Sequence, residues 1–164
     1  MIKPASTQKF QFLPFIICLA IPLAIGVTAS YFTTPEIPGW YAGLKKPSFN
    51  PPNWLFAPVW TILYIMMGVA SYLVWAKRDT KQTYYNARSM YVMSLVANFG
   101  WSFVFFSQHN LFGGLAILFF LLIFIISSIV YFKKFSNTAM WLMVPYLVWV
   151  CFAALLNYSI FTLN

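Results

Sequence analysis

Polar residues along this chain are gathered into a few short clusters, and between them lie four long runs without a charge, residues 10–35, 47–76, 89–132 and 135–164. A helix needs about 20 apolar residues to cross the hydrocarbon core of a bilayer. The third run has 44 residues, about twice what one crossing needs. Its middle carries Ser107, Gln108, His109 and Asn110, a turn signal that splits it into a hairpin. The pattern therefore predicts five helices at about 10–32, 52–75, 88–106, 111–132 and 140–162. The fold class is an all-α integral membrane bundle of five transmembrane helices, in a single domain over 1–164 with no linker and no fixed-period repeat. Residues 33–51 form a long loop rich in proline and aromatic residues, which reads as a lid. Pro14 and Pro22 are expected to kink or weaken the first helix, which neighbours in a bundle tolerate.

Composition agrees with this reading: 62% of residues are hydrophobic and 7% are charged, against about a quarter charged in a soluble domain. A signal peptide is the other reading of Lys3, Lys9 and the apolar stretch behind them. That stretch is longer than a signal core, and no clear Ala-x-Ala site follows it. An odd number of spans puts the termini on opposite faces, and the cations then sort by side. Lys3, Lys9, Lys77, Arg78, Lys81, Arg88, Lys133 and Lys134 fall with the N-terminus, against Lys45 and Lys46 opposite. The positive-inside rule makes the N-terminus cytoplasmic and turns the 33–51 loop and C-terminus outward. The net charge of +8 is thus explained by topology and contact with the anionic bilayer surface, without nucleic acid. Trp54, Trp75 and Trp141 fall at helix ends as interfacial anchors. Ala20/Ala24/Thr28 and Gly26/Ser30 provide close-packing surfaces within one bundle or between subunits.

Most catalytic chemistry is excluded by shortage. Glu36 and Asp79 are the only carboxylates, both in loops, so a membrane-embedded carboxylate pair or acid relay is absent. The single histidine, His109, has no cysteine or carboxylate nearby in sequence and reads as a turn residue, an axial contact to a metalloporphyrin being the alternative. No metal site is expected. Cys18 and Cys151 lie in spans as small hydrophobes. Gly113-Gly114 lacks the strand and the Lys-Ser/Thr of a phosphate loop.

What remains is aromatic and amide chemistry. Trp60 and Tyr64, four apart, share a face of the second helix, about 9 and 15 Å below its outer end. Asn98, Trp101 and Ser102 share a face of the third helix. Trp149, Ala153 and Asn157 lie on one stripe of the fifth, with Phe152 alongside. Any one of these is explained by packing or by interhelical hydrogen bonding. Together, at similar depth beneath a proline-stiffened loop, they point to a pocket for a flat aromatic ligand held by stacking and a few polar contacts.

Three blocks carry a resemblance to a known family. The first is Trp40-Tyr41-x-x-Leu44-x-Lys46-Pro47-Ser48-x-x-Pro51-Pro52-x-Trp54-x-Phe56-x-Pro58-Val59-Trp60-x-x-Leu63-Tyr64. The second is Asn98-x-x-Trp101-Ser102-x-x-Phe105-Phe106, and the third Pro145-Tyr146-x-x-Trp149-x-x-Phe152-Ala153-x-x-Leu156-Asn157. The chain resembles the tryptophan-rich sensory protein / translocator protein family, also called the peripheral benzodiazepine receptor family. That resemblance implies a five-helix bundle, commonly a homodimer, with a pocket closed by the first loop. It implies binding of porphyrins such as protoporphyrin IX and haem, of isoquinoline carboxamides and benzodiazepines, and in some members of sterols. Carried over by position, Trp40, Tyr41, Trp60, Tyr64, Asn98, Trp101, Ser102, Trp149 and Ala153 form the pocket. No Lys or Arg follows Tyr158, so the sterol motif of the animal members is incomplete here.

The leading expectation is a porphyrin-binding sensor in a bacterial plasma membrane, with the porphyrin as ligand and no required cofactor. Trp60 and Trp149 would flank the macrocycle, and Lys45 or Lys46 would meet its propionates. Light-dependent porphyrin degradation would make Trp60 and Trp149 the reactive groups, linked to tetrapyrrole and oxidative-stress regulation. The alternatives are a transporter or carrier of tetrapyrroles or sterol-like lipids, and a structural scaffold without saturable binding.

Overall fold

The computed structural model describes residues 10–164, so the positions of Lys3 and Lys9 lie outside the described residues. Among these there are helices and no strands. Helix α1 is Phe12–Thr33, prolonged by a 3-10 turn, Thr34–Glu36; the short α2 is Trp40–Gly43. A 3-10 turn at Asn53–Leu55 leads into α3, Phe56–Ala76. Then come α4, Gln82–Ser102, running on as a π turn at Phe103–Ser107, α5, Leu111–Lys133, and α6, Asn137–Leu163. Five of these segments are long and apolar enough to cross a membrane.

The described boundaries differ from the sequence pattern in two places. Helix α4 begins at Gln82, six residues before the expected 88, because a charge marks where hydrocarbon ends and a helix continues into the headgroup layer; Arg88 is exposed there. The 33–51 segment contains the 3-10 turn and α2 instead of plain loop. Pro14 falls in the first turn of α1, where its missing N–H removes no helical bond; Pro22 is interior and buried. The tight turns are capped: Asn110 Oδ1 accepts from Gly113 N–H at 2.7 Å, and Ser136 Oγ from Ala139 N–H at 3.3 Å. His109 turns the chain with a φ of 52°.

The helices form a closed ring in the order α1, α3, α6, α5, α4, each packing on the next and α4 on α1. Small residues set the closest approach of α1 and α3: a Cβ on Gly68 would lie 2.8 Å from Leu19 Cα. The core follows the inward faces of the ring and includes Met67, Leu95, Leu121, Ile125, Met143 and Tyr146. Ala20, Ala24 and Thr28 face outward, away from it, and so does Cys151, so neither cysteine is fully buried as the sequence suggested. Trp54 and Trp141 are 72% and 65% exposed at helix starts. Lys77, Arg78, Lys81, Lys133 and Lys134 lie at the ring's end where α1 starts, close to Trp75, whose ring carries the Arg78 guanidinium at 3.8 Å.

Candidate functional site: an aromatic cavity under a strapped lid

A cavity of about 420 Å³ lies in the half of the ring next to the 33–51 segment, within the 300–1,000 Å³ range of small-molecule sites. Its walls come from α1, the 34–41 segment, α3, α4 and α6, and among the described residues none of those lining it is charged. Trp60 and Tyr64 stack along α3 with ring centroids 5.5 Å apart at 26°. Trp101 continues the wall 6.3 Å from Trp60 at 33°, and Phe105 follows Trp101 at 5.7 Å and 29°. The result is a continuous run of nearly parallel rings. The π turn contributes to it, since widening the helix lets the consecutive residues Phe105 and Phe106 both turn inward.

Polar groups hold these rings in register. Tyr64 Oη donates to Asn98 Oδ1 at 2.7 Å in a buried contact. The Asn157 amide, in the orientation that satisfies both ends, accepts from Trp101 Nε1 at 3.3 Å and donates to the Leu111 carbonyl at 3.2 Å. This fixes the Trp101 indole between α4, α5 and α6.

Of the ten residues expected at the site, Tyr41, Trp60, Tyr64, Trp101, Ser102 and Ala153 line the cavity. Asn98 lies one layer behind, bonded to Tyr64. Trp149 stands edge-on behind Trp60, at 6.5 Å and 89°, with Phe152 beside it at 5.5 Å. The two indoles are too close and too nearly perpendicular to sandwich a macrocycle; Trp101 is the second indole that faces the cavity with Trp60. Trp40 packs above Phe105, outside the lining. Missing from the expected set were Phe105, Phe106 and the α1 face Leu23, Gly26, Ser30 and Thr33. That face recurs at three- and four-residue spacing, but its small residues read equally well as helix packing.

The lid is strapped down. His109, expected to have no carboxylate near it, has Glu36 Oε2 2.8 Å from its Nε2, a contact created only by the fold. Its ring also stacks on Trp40 at 4.4 Å and 12°. It does not line the cavity, so it is not placed to act as an axial ligand. Across the ring, Lys45 N–H donates to Asn164 Oδ1 at 2.9 Å and Asn164 Nδ2 donates to the Lys45 carbonyl at 3.0 Å. Tyr41 hangs beneath the lid, 5% exposed, and its Oη donates to Asn50 Oδ1 at 2.8 Å. Burial pushes its phenol up to about 12. Lys46 lies over the Tyr41 ring at 4.7 Å and donates to the Ala42 and Leu44 carbonyls.

Comparison with known proteins adds a second line of argument. The TspO/MBR family profile matches residues 18–163. The chain is 41% identical to the tryptophan-rich protein TspO of Chlorobaculum tepidum over 94% of its own length and 98% of the relative's. It is 40% identical to the protein of the same name from Archaeoglobus fulgidus, over 87% and 91% of the two chains. With the human translocator protein it shares 35% identity over 76% of its length and 75% of the relative's.

Proposed function

The chain belongs to the TspO/MBR family of integral membrane proteins, and from that premise and the cavity we propose that it is a membrane receptor for flat, lipophilic aromatic ligands, porphyrins such as protoporphyrin IX and haem foremost. One observation carries the reading: an uncharged cavity with a wall of near-parallel rings, Tyr64, Trp60, Trp101 and Phe105. Aromatic rings around an uncharged space offer edge and face contacts that favour a flat aromatic ligand over a compact aliphatic one. Lys46, which lies over the Tyr41 ring, and Lys45 beside it are the cations within the lid for a ligand carboxylate.

The reading extends to light. Dioxygen is the oxidant: a bound porphyrin that absorbs light passes its excitation to it, the excited dioxygen adds to the indole of Trp60 or Trp101, and the hydroperoxide formed there passes one oxygen atom to a double bond of the macrocycle and keeps the other as a hydroxyl. No carboxylate, histidine or amine is needed, which suits a cavity whose described lining residues include none. Receptor function in a bacterial plasma membrane with a cytoplasmic N-terminus fits the gathering of Lys77, Arg78, Lys81, Lys133 and Lys134 at one end. A homodimer fits the outward face of Ala20, Ala24 and Thr28.

Titration of the purified protein with protoporphyrin IX tests this. Saturable quenching of tryptophan emission is expected in the dark, with loss of the porphyrin absorption band under illumination. Quenching without saturation would overturn the receptor reading. A band that survives illumination, or is lost equally in Trp60→Phe/Trp101→Phe, would remove the photochemistry and leave the receptor.

A further inference from the structure

We infer that the ligand reaches this cavity sideways from the bilayer, through a slot between the outer halves of α1 and α3, while the lid stays shut; this rests on the receptor reading above. The two helices pack closely toward the end of the ring where α1 starts. There Gly68 admits Leu19, Gln11 N–H donates to Tyr72 Oη at 2.9 Å, and Phe15 packs edge-on to Tyr72 at 5.2 Å. The last close contact is Gly26 against the Tyr64 ring, where a Cβ would overlap the ring. Outward of it, α1 leans on α4 instead: Phe32 packs edge-on to Phe99 at 5.9 Å and to Phe103 at 5.4 Å. Beyond Gly26 both helices carry cavity-lining residues that open to the outside. Residues on both sides of the gap line the cavity and are exposed at once, Val27 and Ser30 on α1 and Ala57 and Thr61 on α3, with Val27 71% exposed.

The chemistry of the rim suits hydrocarbon. Ser30 Oγ donates to the Val27 carbonyl at 2.8 Å and Thr61 Oγ1 to the Ala57 carbonyl at 2.9 Å, so each hydroxyl spends its hydrogen on its own helix. Uncharged rim residues whose hydroxyls are already bonded to their own helices can face acyl chains, which unsatisfied ones could not. The aqueous side is the opposite case. There Tyr41 plugs the space beneath the lid, and the lid is fastened at Glu36–His109 on one side and Lys45–Asn164 on the other. Access from water breaks those contacts; access from the bilayer breaks none. The slot thus selects ligands that partition into lipid and presents them edge-first to the ring wall.

The test uses the full chain in lipid nanodiscs, mixed with phosphatidylcholine vesicles loaded with protoporphyrin IX, and follows the bound-porphyrin signal with time. Filling the slot with Ser30→Phe/Thr61→Phe is expected to slow binding and release together by about tenfold or more, since a barrier in the route acts in both directions. A lost wall contact would instead speed release. Unfastening the lid with Glu36→Gln/His109→Ala leaves both rates within about twofold. Val27→Phe, on the most exposed rim residue, should give a smaller slowing and covers the case where the double variant does not fold. Wild-type rates in folded slot variants, or faster binding in the lid variant, would overturn the slot. No saturable signal in the wild type would overturn the receptor reading, and the slot with it.

Discussion

Tyr64 does three things at once: its ring stacks on Trp60, its edge meets Gly26 and its hydroxyl bonds Asn98. Tyr64→Phe keeps the ring and leaves the buried Asn98 oxygen without its donor, which should destabilise the protein by about 1–2 kcal/mol, read as a lower midpoint of thermal unfolding in detergent. Gly26→Val pushes the ring itself aside, a loss of about 1–3 kcal/mol by overpacking, and weaker porphyrin quenching should accompany it. Tyr41 sets a pH dependence of the lid at the alkaline end. Its phenol is held above the ordinary 10, up to about 12, so the folded state keeps the proton longer than the unfolded chain. Stability from this group is intact below pH 10 and lost as pH rises toward 12. The midpoint of thermal unfolding in detergent should therefore fall more steeply across that window in the wild type than in Tyr41→Phe. Tyr64 was legible in the sequence from its four-residue spacing to Trp60. The contact with Gly26 was not, because a small residue on a membrane helix serves packing in many ways.

The five spans were legible because hydrocarbon excludes charge, and the charge-free runs follow that exclusion nearly residue by residue. What escaped was local. The π turn at Phe103–Ser107 breaks the 3.6 period, so a helical wheel cannot place Phe105 and Phe106 on the same inward surface. The approach of Glu36 to His109 joins residues 73 positions apart, and no spacing rule reaches that far. Trp149 was read as a cavity residue because it shares a stripe with Ala153, yet the rings of α3 stand between it and the space. The lid is a unit with its own fastenings: Glu36→Gln/His109→Ala should raise amide exchange through 36–46 and leave α3 and α4 protected. Equal exchange in variant and wild type would mean that the Lys45–Asn164 contacts alone hold it.

Across the bundle, the ring of helices sorts charge to its ends and the aromatic cavity to the half beneath the lid. The orientation proposed from that sorting has a direct check. With Cys18 and Cys151 replaced by serine, Lys46→Cys in intact cells should react with a membrane-impermeant thiol reagent, and Lys81→Cys should not. The exposed rim of Val27, Ser30, Ala57 and Thr61 reaches further than the route proposed through it. On that route the open side of the cavity is covered by lipid, so acyl chains compete with the ligand and their packing becomes part of the binding free energy. Affinity should therefore vary with the bilayer: tightly packed, saturated chains press α1 toward α3 and short or disordered ones let it swing away. Affinities measured in detergent would then differ from those in membranes without any change in the protein's own contacts.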